Sequence, residues 1–178
     1  EEQKEQLGSL TNLFLDMNQI QQVHDLSVNV HMGSRSAVQA AAEAAMTFHA
    51  LSILKQNGWL DDVKRIFKYS GRTVLDEGFN INDYDNLFGK FVFKKRIPTW
   101  SAEEHLTNLL ITRMYSFCPS LIDSYMEVIQ KNMNSLSNNI VPDTEHAHFL
   151  NIPAEHLVEF DRIKCWGWLS GNGQIEHY

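Results

Sequence analysis

Apolar residues at Leu10, Leu13, Phe14, Met17, Ile20 and Val23 recur at steps of three and four, with Asn12, Asp16, Asn18, Gln19 and Gln22 between them. That spacing predicts an amphipathic helix, because residues three and four apart share one helix face. Ser9 stands directly before the stripe as its N-cap, and the acidic residues upstream suit the positive end of a helix. After Val23 the step shortens to two through Leu26, Val28 and Val30, so a short extended piece is expected there.

The stretch His31 to Ser36 (HMGSRS), small or polar at every position but Met32, predicts a flexible hinge. The same letters also read as a linker left where two coding segments were joined. From Ala37 to Gln56 the positions Ala40, Ala41, Ala44, Ala45, Phe48, Leu51, Ile53 and Leu54 predict a strong helix whose alanines admit a close neighbour, and Asn57-Gly58 stops it. A shorter helix is expected over WLDDVKRIFKYSG, with Leu60, Val63, Ile66 and Phe67 on one side.

Between Arg72 and Trp100 the pattern is irregular and predicts loop, a short helix at Tyr84 to Phe88 and a short strand at Lys90 to Lys94. Ser101 with Glu104 forms a capping-box pattern, opening an expected helix that buries Leu106, Leu109, Leu110, Met114 and Phe117 and breaks at Cys118-Pro119. Ser120 recaps a helix through Leu121, Ile122, Tyr125, Met126, Val128, Ile129 and Met133. A connection then leads to Pro153 and a last helix over AEHLVEFDRIKCWGWL. The sum is an all-α bundle of about five to six helices with one irregular insertion, divided into an amphipathic segment 1–30, a hinge 31–36 and a helical domain 37–178.

The chain has 178 residues, 43% of them apolar and 21% charged, enough for one main domain with a real core. Its net charge of −7 opposes any general attraction to nucleic acid or anionic lipid, so such binding would need a local basic patch. Cys118 and Cys165 form no CxxC spacing and read as reduced thiols of an intracellular protein, cytoplasmic or nuclear. No uninterrupted apolar run of about 18 residues is present to suggest a membrane span.

Candidate chemistry is sparse. Glu145, His146, His148, Glu155, His156 and Glu159 are the densest group of metal-ligand types, and a small helical metal protein using His146, His148 and His156 is one alternative. No HExxH spacing supports it, so no metal or other cofactor is expected. Neither cysteine has a local arrangement that activates a thiolate, Gly171 and Gly173 read as a helix terminator, and NINDYDN reads as an Asx-rich turn. In KFVFKKR the cations Lys90, Lys94, Lys95 and Arg96 interleave with aromatics, the composition that holds phosphates and stacks on bases, which makes a nucleic-acid-binding domain the other alternative.

With no catalytic constellation in view, the leading expectation is a non-enzymatic protein-interaction domain that holds an amphipathic helix in a hydrophobic groove. Leu10, Leu13, Phe14, Met17 and Ile20 supply the i, i+3, i+4, i+7 anchors of such a helix. Phe48, Leu51, Leu109 and Met114 are the expected receiving residues. The helix belongs either to a partner protein or to the chain itself, and exchange between two copies would make a homo-oligomer.

Overall fold

The computed structural model describes residue 21, residues 35–168 and residues 174–178. The amphipathic segment with Leu10, Leu13, Phe14, Met17 and Ile20 lies outside the described residues, as do residues 31–34 of the expected hinge. Helix α1 (Arg35–Gln56) takes up the hinge's last two positions. Its close is as the sequence predicts: Gly58 adopts φ +67°, and the amides of Asn57 and Trp59 bond back to the carbonyls of Ile53 and Leu54.

The rest is not an all-α bundle. Among the described residues there are three α-helices and nine strands in three sheets, a mixed α/β fold. The strands are β1 (Ile66–Tyr69), β2 (Thr73–Leu75), β3 (Phe91–Lys94), β4 (Ile97–Pro98), β5 (Asn108–Leu109), β6 (Met114–Phe117), β7 (Leu157–Phe160), β8 (Cys165–Trp168) and β9 (Ile175–His177). Two further helices, α2 (Ile122–Ser137) and α3 (Thr144–Asn151), lie between β6 and β7.

The main sheet has the order β1-β6-β3-β7, antiparallel except for the β3–β7 pair. A three-stranded sheet runs β2-β8-β9, and β4 pairs with β5 as a short ribbon. Strand alternation divides the main sheet into two faces. Phe91 and Phe93 of β3 and Tyr115 and Phe117 of β6 meet Leu51 of α1 and Tyr125, Val128 and Ile129 of α2 in the largest core cluster. On the other face Met114 packs with Ile163, Cys165 and Tyr178 from around the small sheet, and Phe67 joins them. A third cluster, Ala37, Ala40 and Ala41 with Leu106, Leu136, Val141 and Ala147, closes the far end of the helix layer.

Three expected helices are corrected. Over WLDDVKRIFKYSG, turns at Gly58–Asp61 and Leu60–Val63 lead into β1, so Ile66 and Phe67 point to opposite faces rather than along one stripe. Ser101 does accept a backbone amide, from Glu103, but only as a local turn. Beyond it Leu106, Leu110 and Met114 enter three different clusters, so their four-residue spacing does not mark a common face. The last expected helix is instead a 3-10 turn (Ala154–His156) followed by β7 and β8, whose LVEF and CWGW segments are rich in residues that favour a pleated surface. Conversely, the expected connection after Ser137 contains α3, capped by the Asp143 carboxylate, which accepts from the His146 amide at 2.9 Å. The expected short helix at Tyr84 to Phe88 is displaced to a 3-10 turn at Ile81–Tyr84.

Within the 20-residue stretch Ala37–Gln56 of α1 an 18-residue window has a mean hydropathy of 1.2, long and apolar enough to cross a membrane by length and composition. Six of its alanines are buried in the fold, and α1 packs chiefly on α2.

Candidate functional site: a trough between α1 and β1

On α1, positions Val38, Ala42, Met46, Ala50 and Leu54 follow one another at four-residue steps and form a single ridge. Opposite this ridge stand β1 and the turn that follows it, Ser70 to Arg72. Between the two walls runs a trough. β1 is an outer strand of its sheet, so this side of the sheet has no further strand among the described residues. The trough has two reaches that share Met46, Lys68 and Tyr69.

The first reach is an apolar cavity of about 360 Å³ lined by Ala50, Leu51, Leu54, Ile66 and Phe117 together with the shared residues. The second, about 920 Å³, is more polar and includes Gln39, Glu43 and Arg72. At their junction Lys68 Nζ forms an ion pair with Glu43 across the trough and lies 5.6 Å from the centre of the Tyr115 ring. Along the ridge Ala42 is buried and Ala50 half-buried.

Beneath the trough lies a buried polar chain. The Tyr115 hydroxyl donates to that of Tyr125, which donates to His148 Nε2 (3.1 Å), while His148 Nδ1 donates to the Thr144 carbonyl (2.8 Å). These donor directions follow from satisfying every group in turn. Burial pushes the His148 pKa down to about 4 and holds both tyrosine hydroxyls well above their ordinary value, so all three groups are neutral over the physiological range.

Of the four expected groove residues, Leu51 lines the apolar reach. Phe48 packs against the main core beside it, Leu109 is buried in the β4–β5 ribbon, and Met114 is buried on the opposite face of the main sheet. The four therefore do not share one surface. Met46, Ala50, Leu54 and Ile66 are the residues that sequence reasoning passed over. For the three on α1 the signal is present, as a four-residue row that continues from Val38 and Ala42. Ile66 becomes visible only once its segment is read as a strand.

The residues of the two alternatives are engaged elsewhere. Lys90 Nζ donates to the Glu155 carbonyl (2.7 Å), Lys94 lies 5.2 Å from the centre of the Tyr178 ring, and Lys95 pairs with Asp161 at 3.2 Å. Arg96 grips Glu159 with Nε and Nη2, which raises the guanidinium's pKa and lowers the carboxylate's. His146 donates from Nδ1 to Asp143 (2.7 Å) and accepts at Nε2 from Thr99 (2.6 Å), whereas His156 bonds the Gly89 carbonyl (3.1 Å). His146, His148 and His156 thus belong to three separate networks, and no group of three or more His, Cys, Asp or Glu residues that could hold a metal is found among the described residues.

No protein-family model matches the chain, and no curated protein or solved structure is significantly similar to it.

Proposed function

We propose that this is a protein-interaction domain in which the α1–β1 trough receives the apolar stripe of an amphipathic helix. The observation that carries the reading is the four-residue ridge of α1 facing an outer strand across an apolar cavity, a surface suited to a third element laid between them. The occupant we assign is the chain's own segment Leu10 to Ile20, whose spacing predicts the complementary stripe.

Reach favours this occupant. Helix α1 starts at Arg35, and the chain from Val23, where the predicted stripe ends, to that point spans about 40 Å when fully extended. The apolar reach begins roughly 17 Å along α1, at Met46. A tether of this length holds the segment at an effective concentration near the millimolar range, so a modest affinity suffices for occupancy. Anchors such as Leu13 and Met17 contribute about 1.5 to 3 kcal/mol each when fully buried, against which the ordering of the segment must be set.

Hydrogen exchange on the full chain tests the reading. Met17→Asp should deprotect amides of β1 and of α1 from Met46 to Leu54, while those of β3 and α2 keep their protection. Unchanged exchange along the trough would contradict the assignment.

A further inference from the structure

The other face of the main sheet carries a second cavity, of about 450 Å³, between the segment entering β1 and the 3-10 turn Ile81–Tyr84. Its size falls in the range of small-molecule sites. Lys64, Arg65, Asn82, Tyr84, Asp85 and Phe88 line most of it. The turn is capped by the Asn80 side chain, which accepts the Asn82 amide at 3.1 Å.

Arg65 is the unusual member. Three of its donors are engaged: Nε with the Ser116 hydroxyl (2.9 Å), Nη1 with the Leu87 carbonyl (3.0 Å) and Nη2 with the Lys90 carbonyl (3.0 Å). Its guanidinium is held 5.4 Å from the centre of the Tyr84 ring. All three partners are neutral, and among the described residues no carboxylate pairs with it. A guanidinium has five N–H donors, so two remain on the terminal nitrogens. Lys64 beside it is exposed and has no ion-pair partner among the described residues, so the cavity's lining carries two cations outside any ion pair and one carboxylate, Asp85. At its border Phe88 is 74% exposed, a flat apolar surface in water next to that charge.

We propose that this cavity binds a nucleoside monophosphate, with the phosphate on Lys64 and the free donors of Arg65 and the base against Phe88. A bare anion would leave the aromatic border and most of the volume unused. An uncharged ring would leave the part-buried guanidinium without a counter-charge. Asp85 would repel a phosphate placed at its end but accepts hydroxyl hydrogens, so it orients the ribose, and the Asn82 amide offers a donor and an acceptor to the base edge. The site is separate from the trough and does not depend on the trough's occupant.

Calorimetric titration of the full chain with adenosine monophosphate, adenosine, phenyl phosphate and inorganic phosphate tests this. The nucleotide should saturate one site and bind about tenfold or more tightly than each of the other three. Lys64→Gln and Phe88→Ala should each weaken it about fivefold or more with the thermal midpoint unchanged. Inorganic phosphate binding as well as the nucleotide would reduce the site to an anion hole and overturn the proposal. Phenyl phosphate binding equally would overturn the nucleotide assignment, and so would variants that bind like the parent or the absence of saturable binding.

Discussion

Lys68 and Arg65 stand three residues apart at one edge of the main sheet, both part-buried and on opposite faces, yet their charges are treated differently. Lys68 meets a carboxylate, Glu43, and with it ties β1 to α1 across the trough. Arg65 meets two carbonyls and a hydroxyl, and no acid among the described residues. A paired cation is explained by the fold. The second one is held in place by the fold but leaves charge over, and burial lowers its pKa. Under the two proposals the helix-covered face would take a protein segment, and the opposite face, with its unpaired charge, a small anionic ligand.

Removing each cation in turn should affect stability unequally. Arg65→Met leaves three polar groups without their donor and should cost about 3 kcal/mol in urea denaturation. Lys68→Met should cost only about 1 kcal/mol, because Glu43 is exposed enough to turn to water. Equal losses at the two positions would remove the distinction drawn between them.

Acid should act on the helix-covered face. His148 titrates near 6.5 when unfolded and near 4 when folded, so the unfolded chain binds more protons between those values. Its contribution is therefore complete above about pH 6.5 and is lost as pH falls towards 4, by about 3 kcal/mol. The groups around it pull in both directions: the Thr144 carbonyl and Glu43 favour the charged ring, whereas burial and Lys68 oppose it. Glu145, whose pKa burial raises, takes up a proton in the folded state on the way down and offsets part of the loss. Denaturant midpoints of the parent and His148→Gln across this range should converge towards low pH, and parallel curves would show that the imidazole is not the sensor.

Much of the helix layer was legible in the sequence. In α1 and α2 the apolar spacing agrees, as does the Asn57-Gly58 stop of α1, and Phe91, Val92 and Phe93 alternate visibly as a strand; Ser120 does not cap α2 as expected, since it lies in a 3-10 turn and its hydroxyl donates to Cys118 Sγ. The error lay where apolar residues are dense enough to satisfy two periods at once. Leu106, Leu109, Leu110 and Met114 match a helical stripe, but Tyr115 and Phe117 face one side of β6 while Met114 and Ser116 face the other, and pairing with β1 and β3 decides between the periods. Such pairing joins residues about fifty positions apart, as Ile66 with Phe117, and leaves no local mark. Of the candidate site only Leu51 was anticipated, because one wall of the trough is a helix that the spacing reveals and the other is a strand it concealed.

Disulfide trapping tests whether the N-terminal segment lies in the trough. In the full chain carrying Met17→Cys and Ala50→Cys, the native Cys118 and Cys165 are buried and leave the new pair to react. Mild oxidation should join the two introduced thiols within one chain, at a rate independent of protein concentration. A bond formed only between two copies, or none at all while control thiols on the surface react, would contradict the account.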